Sequence, residues 1–339
     1  MQVVSMFSYR RVSIALAFLA VGLLVVVAVN STSANAARLR AGFASPSLNV
    51  AMLWITQEGR LFEKNGVDVE ALYLESTLAQ KALIAGNIDF SMMTAINMAA
   101  PKLAGADLIM LAGFVNRFTY RLVVRPEINA TSDLKGKRIG IFRFGSAADR
   151  ASRLVLAKFG LDPEKDVTYV QTPGADPARI AAMMSKIIDG ALLNPPYYKH
   201  AVTGGMKILA NMAEMDIPIQ HIGLVTSQKF VQANPDLTRR IVKSFLEGIH
   251  LMRTNPEVAK KALSKYMRIT DPKELEESYQ LLKSLIAIKP YPTLEGFKTV
   301  FAELAEKVPA ARTANPKDFV DTRILEEFDR SGFIDGLYK

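Results

Sequence analysis

The 339 residues contain no cysteine, which excludes a disulfide framework, a thiolate metal site and a lipid-modified N-terminal cysteine. Tryptophan occurs once, as Trp54, and histidine three times, as His200, His221 and His250. None of the histidines stands at a metal-ligand spacing from another, so no zinc motif is offered. No nucleophile-elbow sequence is present. Carboxylates are plentiful, but they follow the solvent-facing pattern of helices. These gaps predict a chain that is not an enzyme and that carries neither cofactor nor metal.

What is present begins with an export pattern. Arg10 and Arg11 precede an apolar run over 12–29, and a short polar stretch then ends in Ala34, Asn35 and Ala36. A positive start, an apolar stretch and a small-x-small end predict a signal peptide over 1–36, cleaved after Ala36; uncut, the same run would serve as a membrane anchor. Cleavage leaves 303 of the 339 residues and lowers the net charge from +9 to +7, because Arg10 and Arg11 are the only charged side chains removed. Half of the residues are apolar, enough for a large core and too many for disorder. Basic and acidic residues interleave, as over 257–265, so the positive balance predicts a solvated surface and no nucleic-acid partner, with a mild attraction for anions.

From Leu39 onward, short runs rich in β-branched residues alternate with amphipathic stretches. That alternation predicts an α/β fold of mainly parallel sheets covered by helices. Strands are expected near 39–43, 67–74, 88–92, 108–113, 120–125, 138–142, 167–171, 190–193, 207–210 and 222–226. Over 50–58 a helix places Val50, Leu53, Trp54 and Gln57 on one stripe before Gly59, with Trp54 as a core anchor. After 226 the pattern is helical, over 234–254, 256–266, 272–286 and 294–308, with Asn-Pro and Asp-Pro pairs at helix starts. The order predicts two lobes. The first is discontinuous, 37–120 and 226–339; the second is 121–225; hinge crossings fall near 120–125 and 221–226.

Open parallel sheets hold ligands beyond the carboxyl ends of their strands, where helices begin with unpaired N–H groups. The residues that meet this description are Asn49, Ser76, Thr77 and Thr94 in the first lobe, and Gly145, Ser146, Ala147, Gly174 and Asn194 in the second. A hydroxyl at a helix start can equally cap the helix, since capping and ligand binding use the same oxygen. Gly145 followed by Ser146 is the sharper signal, a close backbone approach beside a hydroxyl. The stretch 140–146 approximates a phosphate loop but lacks its lysine, which argues against a nucleotide. Arg143, three residues before Ser146, is the expected counter-charge for an anion, with Arg117 as the second choice.

Several segments carry a resemblance. They are Gly59-Arg-Leu-Phe-Glu-Lys-Asn-Gly-Val-Asp-Val-Glu70, Ala82-Leu-Ile-Ala-Gly-Asn-Ile-Asp-Phe90, Asp133-Leu-Lys-Gly-Lys-Arg-Ile-Gly-Ile141, Leu156-Ala-Lys-Phe-Gly-Leu-Asp-Pro-Glu-Lys-Asp-Val167, Asn194-Pro-Pro196 and Leu224-Val-Thr-Ser227. Their joint order resembles the periplasmic binding proteins of the nitrate, taurine and alkanesulfonate ABC importers. Ser185 and Gly190 stand where that family often has glycine and alanine. The resemblance implies a type II two-lobed binding fold and a small, anionic solute in the interlobe cleft. It further implies a monomer in the periplasm that works with an ABC permease and ATPase in the inner membrane. Two alternatives stay open: a thiamine-pyrimidine-synthase-like enzyme on the same fold, whose cysteine-rich motif is missing here, or a ligand-sensing partner of a membrane receptor.

Overall fold

Runs of Val, Ile and Leu bounded by Gly, Ser, Thr and Asn build two five-stranded sheets. The structure, a computed structural model, describes residues 38–172, 174 and 176–339; the signal peptide expected over 1–36 lies outside them. In the first sheet β1 (Arg38–Phe43), β2 (Asp68–Tyr73), β3 (Phe90–Thr94), β4 (Ile109–Val115) and β10 (Ile222–Thr226) stand in the order β2-β1-β3-β10-β4. In the second, β5 (Arg121–Val124), β6 (Arg138–Ile141), β7 (Thr168–Gln171), β8 (Gly190–Leu193) and β9 (Lys207–Asn211) stand in the order β7-β6-β8-β5-β9. The ten strands expected from the sequence are all formed.

The two sheets share a plan. Three strands run parallel at one side, and the fourth position holds one antiparallel strand, β10 between β3 and β4 and β5 between β8 and β9. Each antiparallel strand is the first the chain makes after leaving the other lobe. The crossing segments are therefore 116–120 and 212–221, a few residues before the expected 120–125 and 221–226. Residues 222–225, assigned above to the second lobe, are paired in the first sheet, because the register Gly223↔Met93 and Gly223↔Gly113 seats β10 between its neighbours.

The longer helices are α1 (Ala51–Glu58), α2 (Ser76–Ile84), α3 (Ala95–Leu103), α4 (Ala147–Lys158), α5 (Asp176–Met184), α6 (Tyr197–Thr203), α7 (Pro235–Thr254), α8 (Pro256–Met267), α9 (Pro272–Leu285) and α10 (Leu294–Leu304). Among the described residues no helix is long and apolar enough to cross a membrane. Helices α7, α8 and α9 start as the Asn-Pro and Asp-Pro pairs predict. Asn255 accepts from the Val258 N–H at 3.4 Å and Asp271 from the Glu274 N–H at 2.9 Å, while proline fills a position whose N–H has no partner.

Helices α7 and α8 pack on α1, so residues 51–56 of α1 are buried on every side, more than a single stripe. Trp54 is fully enclosed, stacked on Tyr266 at 5.1 Å between ring centres and edge-on to Phe43 at 5.4 Å. Helices α7, α8 and α9 thus complete the core of the first lobe, while α10 packs on α3 in a second apolar cluster.

Candidate ligand-binding cleft

The loops after β1, β2 and β3 and those after β6, β7 and β8 meet across one cleft of about 90 Å³ between the lobes. Of the residues expected from sequence, Asn49, Ser76, Thr94, Ser146, Ala147, Gly174 and Asn194 line it. Thr77, Gly145 and Arg143 do not. Thr77 turns its hydroxyl toward the Glu75 carboxylate at 3.5 Å. Gly145, in the left-handed region at φ +78°, gives its N–H to Asp149 Oδ2 at 2.7 Å, so that amide is already committed. Arg143 is half exposed and reaches across the rim to Glu75 at 3.5 Å; Arg117 is spent on the Ser284 carbonyl at 2.7 Å.

Helix capping and cleft lining coincide, as the shared chemistry of the oxygens predicts. Thr94 Oγ1 accepts from the Asn97 N–H at 3.4 Å, and Ser146 Oγ accepts from the Asp149 N–H at 3.3 Å. Both hydroxyls keep their hydrogens for another acceptor. Helix α4, twelve residues long, opens its first turn toward the cleft through Ala147 and Ala148, so peptide N–H groups and a partial positive charge lie there.

The charged group at this site is one that sequence reasoning missed. Arg179, on α5, is 4 % exposed and lines the cleft. Its Nη2 lies 3.0 Å from Asp176 Oδ1, one helical turn earlier. Asp176 also accepts from the Asn194 N–H at 3.0 Å and from Asn194 Nδ2 at 3.3 Å, so both of its oxygens are engaged. Nε and Nη1 of Arg179 meet no acceptor among the described residues. A guanidinium with two buried, unused donors can hydrogen-bond the oxygens of a carboxylate, sulfonate or nitrate. The available signal was its position: Asp176, Arg179, Ala182 and Met183 fall on one buried face of α5, and an arginine on an apolar face demands a partner.

The floor of the cleft joins the lobes. Asn49 Nδ2 donates to Asn194 Oδ1 at 2.9 Å, and Thr119, in the first crossing, donates to Asn49 Oδ1 at 3.1 Å. His221, in the second crossing, stands 3.5 Å from Asn49 Nδ2 and is held by the rings of Phe118 and Tyr120. Burial pushes its imidazole down to about 4, so it is neutral at physiological pH. Burial likewise raises the Tyr120 phenol, which stays protonated. At the mouth Tyr197, whose phenol burial pushes up to about 12, donates to the Pro46 carbonyl at 3.0 Å. Among the described residues no cluster of His, Asp and Glu fit to hold a metal occurs. The arrangement can hold a small polar molecule.

Such a cleft between two β-sheet lobes defines the class of two-lobed binding-protein folds, and the comparisons agree. A profile of the NMT1/THI5-like family matches residues 47–259, and the chain belongs to that family. A Brachyspira hyodysenteriae protein, provisionally named an ABC transporter periplasmic binding protein, is 25 % identical over 288 residues, covering 80 % of each chain. Among solved structures, the alkanesulfonate-binding protein SsuA of Xanthomonas axonopodis bound to MOPS superimposes with a TM-score of 0.67 at 22 % identity, over 84 % of this chain and 98 % of that one. The nitrate-binding protein NrtA of Synechocystis gives a TM-score of 0.67 at 15 % identity, over 87 % and 88 % of the two chains. The resemblance carried by the sequence segments and the two-lobed fold it implied both stand.

Proposed function

We propose that this protein is the periplasmic solute-binding component of an ABC importer and that its solute is a small anion bound by Arg179. The observation that carries this reading is the buried guanidinium in the interlobe cleft, two of whose nitrogens meet no acceptor among the described residues. Its charge is paired with Asp176, but buried donors without an acceptor cost about 1 to 3 kcal/mol unless a ligand meets them. Ser76, Thr94, Ser146 and the first turn of α4 add donors from both lobes, and Asn49, Asn194 and Gly174 complete the walls. A solute touching both lobes favours the closed arrangement. The names of the Brachyspira relative and of the alkanesulfonate- and nitrate-binding neighbours support this assignment. So does the export pattern before residue 37, with a permease and an ATPase as partners. The protein is read as a monomer without cofactor or catalytic activity.

A thermal-shift panel of nitrate, taurine, alkanesulfonates, aromatic carboxylates and neutral pyrimidines tests it, because a ligand of the folded form raises the melting temperature by mass action. An anion should stabilise the protein, and Arg179→Gln should weaken its binding roughly ten- to a hundredfold in calorimetry. Stabilisation by neutral pyrimidines alone would overturn the anionic reading.

A further inference from the structure

Beyond the cleft, the same strand-end loops wall a second space. A groove of about 510 Å³ lies between the lobes, with Phe43, Trp54, Tyr73 and Tyr266 on the first-lobe side and Pro177 and Tyr197 on the second. Its walls continue those of the cleft. Tyr73 lines both spaces, and Phe43, Pro46 and Pro177 adjoin the cleft residues Ala44, Ser45, Ser47 and Asp176 in sequence. The two lobes close it together, since Tyr197 Oη is bonded to the Pro46 carbonyl at 3.0 Å.

Two features single this groove out. Tyr73 is 53 % exposed, an aromatic ring left in solvent at the junction of the two spaces. Trp54 is fully buried, yet its Nε1 finds no acceptor among the described residues, although a buried indole N–H ordinarily has one. The cleft alone is small beside the groove, and aromatic walls, with His200, Met267 and Arg268 completing the lining, suit a flat apolar body.

We propose that the groove is a second subsite, which receives the flat apolar body of a solute whose anionic group sits at Arg179. The solute class is then an aryl or similarly planar sulfonate or carboxylate. This rests on the anionic reading of the cleft and narrows it.

The test compares methanesulfonate with biphenyl-4-sulfonate by calorimetry, using the mature chain. Biphenyl-4-sulfonate should bind roughly tenfold tighter or more, from the apolar area it buries. Tyr266→Ala, which alters the groove and not the cleft, should abolish that advantage and leave methanesulfonate unchanged. Trp54 is the only tryptophan, so its emission should shift with biphenyl-4-sulfonate and not with methanesulfonate; this readout decides if Tyr266→Ala does not fold. Equal affinities for the two sulfonates, or an aryl advantage with unmoved Trp54 emission, would overturn the subsite and leave the anion site standing. Binding of neither would overturn the subsite, while the anion site stands or falls with the thermal-shift panel.

Discussion

Arg150 and Glu303 face each other between the lobes at 3.6 Å, Arg150 in the first turns of α4 and Glu303 on α10, beside a small cavity behind the cleft that Thr94, Phe118 and His221 also line. Burial dominates the carboxyl and raises it to about 7, against the pull of Arg150 and with Asp149 and Glu306 adding to the rise. Folding therefore favours the proton-bound form. The stabilisation is complete below the ordinary value of 4.5 and is lost as the pH rises through about 7. Between those limits this group should remove roughly 2 to 3 kcal/mol of stability. Denaturant unfolding from pH 4.5 to 8 checks it. Glu303→Gln should flatten the slope, and an unchanged slope would count against the assignment.

Tyr197 offers a second measurement. Its bond to the Pro46 carbonyl exists only while the lobes are together. Tyr197→Phe should therefore lower the closed population and weaken solute binding about fivefold, from roughly 1 kcal/mol. Small-angle scattering of the unliganded variant should show a larger radius than the parent. An affinity equal to the parent's would show that this bond does not bias closure.

Ser146 has two roles that can be separated. As the cap of α4 it holds the Asp149 N–H at 3.3 Å, and its loss in Ser146→Ala should cost about 1 kcal/mol of stability. Its hydroxyl hydrogen is free to donate into the cleft, so affinity for the anion found in the panel should fall roughly tenfold. Ser146→Thr should preserve both properties. A stability loss with unchanged affinity would leave only the cap.

The architecture was legible because strand runs such as Leu39 to Phe43 and Gly190 to Leu193 carry the composition of buried strands, and the Asn-Pro and Asp-Pro pairs mark helix starts. The helices Gln228–Ala233 and Arg323–Arg330 went unread. Most of the cleft was legible too, since the strand-end rule needs only topology. The counter-charge was not. Nearness in sequence favoured Arg143, but a side chain at the edge of a loop goes where a carboxylate stands, and Glu75 stands on the opposite rim. Arg179 lies 33 residues beyond Ser146 in the chain and meets it only through the pairing of β6 with β7 and β8. The groove was unreadable for the same reason, since Trp54 and Tyr266 meet only after α8 packs on α1.

The position of β10 between β3 and β4 bears on the order of assembly during synthesis. A nascent chain that has reached only residue 221 contains β3 and β4 but not the strand that joins them. The first sheet is then split, and β4 is left with an unpaired edge. The five strands of the second sheet, by contrast, all lie within 121–211, and they are complete while the first lobe is still waiting. The middle of the polypeptide can thus mature before its beginning, and a ribosome stalled before residue 222 would expose the raw edges of β3 and β4 to any chaperone or neighbouring chain.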